Sequence, residues 1–245
     1  MSNPGSAAGQ AVQLRKAELE QSLHALRRRI ADACDAAGRD SAEVTLVAIT
    51  KTFPVSDIRL LSELGITEIG ENRDQEAAPK AAECAALGLP LRWHFVGQLQ
   101  VNKCASVAGY ADVVHSVDRP RLIRALASRA RGAGRTITCL IQVSLDAAPG
   151  RGGALPGDVP ALASLVAAED GLVLGGVMAV APLGEPPRPA FRRLRKVAEI
   201  MRSAFPGALM ISAGMSGDLD EAIAEGATHV RVGTALLGGR PAFVR

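Results

Sequence analysis

Apolar positions recur along the chain with two different periods. Val12, Leu19, Leu23, Leu26, Ile30 and Ala33 stand at helical spacing between charged residues, which predicts an amphipathic helix that Gly38 stops. After it, short runs rich in β-branched and other apolar residues alternate with helical patterns to the end of the chain. The runs cover residues 44–50, 67–70, 92–96, 112–115, 136–143, 173–179, 208–212 and 228–232, eight candidate strands. Several intervening helices carry end signals. Asp118 is placed to cap a helix that has Pro120 in its first turn and Gly132 after its last. Asp158 and Pro160 open another, which Gly171 closes. Phe191, Leu194, Ala198, Met201 and Phe205 share one helix face that stops at Pro206 and Gly207. Residues 216–226 begin with the acidic group Asp218, Asp220 and Glu221, well placed against a helix dipole.

Eight strands each followed by a helix describe an α/β fold, a (β/α)8 TIM barrel preceded by one extra N-terminal helix; a doubly wound open sheet is the alternative. No linker or repeat divides the chain. Residues 1–9 are expected to be a flexible N-terminus, residues 10–245 a single domain, and residues 147–157, rich in Gly and Pro, a mobile loop.

Composition narrows the function. The 245 residues are 48% hydrophobic and 22% charged, and 28 Lys and Arg against 25 Asp and Glu give a formal charge of +3 spread along the chain. Nothing there calls for nucleic acid or anionic lipid, and seven scattered aromatics do not form a base-stacking platform. Cys34, Cys84, Cys104 and Cys139 are far apart and read as reduced thiols rather than a disulfide framework or metal site. The N-terminus has no apolar signal region, and the longest apolar stretch, 172–183, is too short to span a bilayer. A soluble, cytoplasmic protein is expected.

Barrel chemistry sits at the C-terminal strand ends. There the run VTLVAITK places Lys51 on the strand face of Thr45, Val47 and Ile49. A lysine at the rim of an apolar interior is a candidate Schiff-base amine; on position alone, a side chain reaching solvent is the commoner outcome. The seventh and eighth strands lead into Ser212-Ala213-Gly214-Met215-Ser216 and Arg231-Val232-Gly233-Thr234-Ala235. Small residues at two adjacent helix starts leave N–H groups for an anion, and the loops after strands 7 and 8 are where barrels commonly hold phosphate. Arg231 shares the face of Gly233 and points toward the axis. It pairs either with a core carboxylate such as Glu71 or with a ring nitrogen or oxygen of a ligand, and a guanidinium keeps its proton near neutral pH.

The segments AITKTFP (48–54), GENRDQE (70–76), WHFVGQLQVNK (93–103), HSVD (115–118), GVMAVAP (176–182), ISAGMSGDLDEAIAEG (211–226) and VRVGTALLG (230–238) together resemble the pyridoxal phosphate homeostasis protein family, single-domain relatives of the alanine racemase barrel. The resemblance spans residues 10–240. It implies a fold-type III barrel that binds pyridoxal 5′-phosphate (PLP), with Lys51 forming the internal aldimine at C4′ and Asn72 beside the ring. Ser212, Gly214, Met215, Gly233 and Thr234 would hold the phosphate, and Arg231 would face the pyridine nitrogen. It also implies a role in keeping free PLP low, with handover to apo-enzymes, no established turnover and no metal. A monomer is expected. The chain departs from the family pattern at Arg73, where tyrosine is usual, at Val101, where serine is usual, and at Ala213, where methionine is usual; its loop 146–156 differs as well. The first departure leaves Arg73 to meet phosphate or solvent.

Two catalytic readings compete with a carrier. A small amino-acid racemase or lyase would use His94 and His115 as bases, although histidines at strand ends are more often structural, and the one tyrosine, Tyr110, falls on a helix-to-strand turn away from the strand tops. A Schiff-base aldolase acting on a sugar phosphate would use Lys51 without a chromophore. Arg192, Arg193, Arg195 and Lys196 offer a basic face to a protein partner, or simply to solvent.

Overall fold

The computed structural model describes residues 4–146 and 152–239. Helix α1 (Pro4–Ala36) leads into strand β1 (Thr45–Ile49). There follow α2 (Val55–Glu63), β2 (Glu68–Glu71), α3 (Asp74–Ala86), β3 (Arg92–Phe95), α4 (Cys104–Tyr110), β4 (Val113–Val117), α5 (Pro120–Gly132), β5 (Ile137–Gln142), α6 (Val159–Ala168), β6 (Leu172–Met178), α7 (Pro187–Ala204), β7 (Met210–Ser212), α8 (Leu219–Ala224), β8 (His229–Val232) and α9 (Thr234–Leu237). All eight strands pair in parallel in chain order, and β8 returns to β1 with Thr45 opposite His229 and Val47 opposite Arg231. That closure makes the fold a TIM barrel and removes the open doubly wound sheet. The expected eight strands are all present, with ends shifted by one or two residues.

Between the strands and the surrounding helices, the two largest apolar clusters fill the outer layer; Ile58, Leu61 and Ile69 belong to one, and Leu122, Ile141 and Phe191 to the other. Burial of this layer is the main stabilising term. The interior of the barrel is different. Val113, Leu140 and Met178, with Met210 packed against them, form a small apolar plug, while His94, His115 and Arg231 bring buried polar side chains into the interior. The wall is pinched at Gly176, where an added Cβ would lie 1.9 Å from the Met210 carbonyl oxygen and φ is +152°.

The extra helix closes the seam between first and last elements. Leu19, Leu23, Leu26 and Ile30 of α1 are buried, and Arg29 forks onto Asp220 of α8 (2.6–3.1 Å) while Arg15 meets Asp57 of α2 (2.8 Å). Residues 4–9 lie within this helix. Gly38, at φ +65°, follows its end, and the Arg39 amide reaches back to the Cys34 carbonyl, a left-handed helix stop.

Some helix signals act differently from their expected roles. Arg119, not Asp118, occupies the cap of α5, because the Asp118 carboxylate is held by Arg119 and by the Gly153 amide (3.3 Å). Asp158 precedes α6 without a side-chain capping bond. Residues 216–218 form a turn, so α8 is only six residues long. In the 147–157 loop, residues 147–151 lie outside the described residues; Ala154 is tied to the end of β5 by bonds from its amide to Gln142 and from the Ser144 amide to its carbonyl, each 2.8 Å. Among the described residues, no helix is long and apolar enough to cross a membrane.

Candidate functional site

The C-terminal end of β1 is built as a gripped elbow. Thr50 turns toward the helices, where its hydroxyl donates to Glu71 Oε1 (2.7 Å). Lys80 of α3 donates to the same oxygen (2.7 Å) and to the Thr50 carbonyl (2.9 Å). One helical turn earlier on α3, Glu76 accepts the Thr52 amide (2.9 Å), and Thr52 adopts φ +71°, a left-handed conformation costly for a β-branched residue. Lys51, between these two anchors, is half-buried, and its amine has no hydrogen-bond or ion-pair partner among the described residues. Glu71 is fully buried; burial pushes its carboxyl above the usual range, opposed by Lys80 and Thr50.

At the end of β2, Asn72 is half-buried and its Oδ1 has no hydrogen-bond partner among the described residues. Its main chain lies so close to the loop after β3 that a Cβ on Gly97 would stand 2.1 Å from the Asn72 carbonyl oxygen. Arg73 is exposed and meets Glu76 (3.6 Å).

Ser212 ends β7 and Arg231 lies in β8, both buried. Arg231 does not pair with Glu71, whose side chain belongs to the outer layer. Its guanidinium donates to Ser212 Oγ (2.6 Å) and to the Ala179 carbonyl (3.0 Å), and burial lowers its pKa to about 10. A buried cation held only by neutral acceptors keeps its full charge for whatever lies beside it. Gly214 (φ +89°) packs so tightly on α8 that a Cβ would lie 2.7 Å from that of Ala222. The Met215 amide is used by the Asp218 carboxylate (2.6 Å). The amides of Ser216, Gly217 and Gly233 find no acceptor among the described residues, and Thr234 opens the four-residue α9. Two loops thus bring unused N–H groups to the same end of the barrel as Lys51 and Asn72.

Inside the barrel lies a polar chain that sequence reasoning did not assemble. His115 Nδ1 is 2.9 Å from Ser212 Oγ, its Nε2 is 2.8 Å from His94 Nδ1, and His94 Nε2 contacts Glu68 Oε2. Both rings are buried, and burial holds His115 well below its ordinary pKa, helped by the charges of its neighbours. His94 and His115, the candidate bases, are therefore committed to one another within the barrel interior. Tyr110 precedes β4, at the opposite strand ends from Lys51, stacked edge-on against Trp93 (6.3 Å); burial pushes its phenol up. The four cysteines are buried and free, and among the described residues no group of metal-ligating side chains occurs. On the outer face, Arg192 and Arg195 share the buried Glu225 with Arg188, and Arg193 meets Glu185.

A strand-end amine, an orphaned amide oxygen, a buried arginine and free N–H groups at one barrel mouth form a site suited to an anionic, ring-bearing carbonyl compound, on a barrel of the alanine racemase class. The sequence matches the alanine racemase N-terminal domain family over residues 21–241. It is 43% identical over 243 residues to the pyridoxal phosphate homeostasis protein of Mycobacterium bovis, covering 92% of this chain and 94% of that one. The protein of the same name from Escherichia coli is 35% identical over 228 residues, covering 91% and 97%. The chain belongs to the pyridoxal phosphate homeostasis protein family. Among solved structures, PipY of Synechococcus elongatus with PLP bound aligns over 90% of this chain and 100% of its own at 33% identity and a TM-score of 0.78. Alanine racemase from Corynebacterium glutamicum, at 16% identity, TM-score 0.64 and 62% coverage of its chain, shares the fold.

Proposed function

We propose that this protein binds PLP reversibly through Lys51 and acts in PLP homeostasis as a carrier rather than a catalyst. The observation that carries the reading is the uncommitted Lys51 amine, held at the barrel mouth by an elbow that α3 grips on both sides. PLP brings an aldehyde that a primary amine takes up with loss of water and releases by the reverse reaction. Around it, this chain's residues divide the work. Ser216, Gly217 and Gly233 amides, with Gly214 shaping the turn, suit the phosphate; Ser212 supports that end through its bond to Arg231, and Met215 and Thr234 frame the two turns. Asn72 offers Oδ1 at the ring edge. Arg231, charged and without a carboxylate, suits the pyridine nitrogen and leaves it unprotonated, which weakens the ring as an electron sink.

The carrier reading is supported further by what the candidate bases do. His94 and His115 are tied up in the barrel interior, and Tyr110 stands at the other end of the strands. The relatives' shared name and the PLP-bound PipY support the same cofactor. Handover to apo-enzymes fits a linkage that amines can exchange.

The test is visible absorption of the protein after PLP addition and desalting, beside Lys51→Ala. A band retained by the wild type and absent from the variant, with borohydride fixing the cofactor to the peptide containing Lys51, is the expected outcome. A band of equal strength in both proteins would refute the assignment of Lys51.

A further inference from the structure

The chain from Arg231 to Glu68 crosses the barrel from the cofactor end to the opposite rim. Glu68 is the first residue of β2, half-buried at the N-terminal end of the strands; His94 and His115 occupy the middle of β3 and β4; Ser212 ends β7. Each link is a single hydrogen bond, so the protons are countable. Arg231 has no acceptor, so Nη1 donates to Ser212 Oγ (2.6 Å). In one arrangement the Ser212 hydroxyl donates to His115 Nδ1, the His115 Nε2–H donates to His94 Nδ1, and the His94 Nε2–H donates to the Glu68 carboxylate. Every donor then points from Arg231 toward Glu68, both rings are neutral in the same tautomer, and the ends carry opposite charges.

The reverse arrangement needs one more proton. Glu68 then donates to His94, His94 to His115 and His115 to Ser212, whose hydroxyl must accept from both sides and turn its own hydrogen elsewhere. The groups facing the chain do not favour that uptake. The Arg92 cation lies 3.9 Å from Glu68 and opposes it, and the neutral His229 ring has its centroid 6.3 Å from that of His94. His229 in turn is buried, with its own Nδ1 engaged by Thr228 Oγ1 (2.8 Å).

We propose that Glu68, His94 and His115 are positioning residues for the cofactor site: the carboxylate of Glu68 orders one tautomer through both rings, so that the Ser212 hydroxyl gives its hydrogen to His115 and keeps its oxygen lone pairs for Arg231. A carboxylate at the closed end of the barrel thereby sets how the guanidinium is held at the open end. The inference rests on the assignment of Arg231 to the PLP ring, and its test separates the two.

The tautomers are read from 15N-histidine NMR of the protein without PLP. His94 and His115, when singly protonated, should both carry the proton on Nε2. Glu68→Leu removes the terminal acceptor, so both rings should move their proton to Nδ1, and PLP affinity measured by equilibrium dialysis should fall by about tenfold, the effect of losing one well-placed hydrogen bond. Glu68→Gln keeps an acceptor without the charge and should restore the wild-type tautomers and most of the affinity. A wild-type spectrum with either singly protonated ring carrying its proton on Nδ1 overturns the proposal, as does Glu68→Leu binding PLP like the wild type. Should Glu68→Leu not fold, the wild-type spectra and Glu68→Gln decide alone. Failure of the wild type to bind PLP would remove the proposed function, whereas the tautomers would still report on the chain.

Discussion

Replacing Lys80 with methionine removes a charge and its donors while keeping most of the side-chain volume. Glu71, fully buried, then has the Thr50 hydroxyl as its remaining hydrogen-bond donor, and a buried carboxylate in that state protonates instead of staying charged. The cost of protonation sets the size of the effect. With an unfolded-state value of 4.5, neutralising Glu71 costs about 3.4 kcal/mol at pH 7 but only about 0.7 kcal/mol at pH 5. Loss of the bond from Lys80 to the Thr50 carbonyl adds roughly 1–1.5 kcal/mol at either pH. The sign follows from a carboxyl whose folded pKa is raised above its unfolded value: its contribution is present at low pH and lost as pH rises. Lys80→Met should therefore trail the wild type, whose own Glu71 carboxyl is already raised, by at most about 4–5 kcal/mol at pH 7 and at most about 2 kcal/mol at pH 5. Urea unfolding followed by far-UV circular dichroism at the two pH values measures the gap, and adding Glu71→Gln to Lys80→Met should abolish its pH dependence. An equal deficit at pH 5 and pH 7 would show that Glu71 does not depend on Lys80 for its charge, and the gripped elbow would lose its electrostatic half.

Two further outcomes follow from buried groups and close approaches. Burial, with the charge of His94 adding to it, lowers the pKa of His229 to about 4 from 6.5, so its contribution is intact above pH 6.5 and is lost as pH falls toward 4, at most about 3.4 kcal/mol. His229→Gln should flatten the acid limb of stability by roughly that amount, as urea midpoints across this range will show. Gly97→Ala places a Cβ 2.1 Å from the Asn72 carbonyl oxygen, so the loop must displace the residue assigned to the ring edge; PLP affinity should fall by at least about tenfold while circular dichroism still shows a folded barrel, and unchanged affinity would detach Asn72 from the site.

Much of the architecture was legible in the chain because strand and helix periods alternate without interruption, and a period-2 run followed by an amphipathic helix has few stable outcomes in a parallel sheet. Lys51, Ser212 and Arg231 were singled out because each lies at or near a strand's C-terminal end, a position that sequence spacing marks, whereas Asn72 came from the family resemblance alone. Helix ends were less legible. Asp118 carries every local sign of a cap, yet a cation next door and an amide 35 residues away claim its carboxylate. Glu76 and Lys80 stand one turn apart on α3 and read as an ordinary surface pair; only the packing of α3 against the ends of β1 and β2 turns them into the anchors of Lys51.

The sequence by itself determined the repeating βα units and the extra leading helix, because these depend on local periodicity and on where each strand stops. Whether the sheet closes was decided in three dimensions, by β8 meeting β1 across nearly 200 residues of chain. The partner of Arg231 was decided there too. Glu71 and Arg231 were both predicted to be buried, but a strand has two faces, and closure put Glu71 in the outer layer with Lys80 while Arg231 turned inward to Ser212. The histidine chain has the same origin: Glu68, His94, His115 and Ser212 lie on four strands, and only the curvature of a closed barrel brings four separated strand faces within hydrogen-bonding distance around one axis.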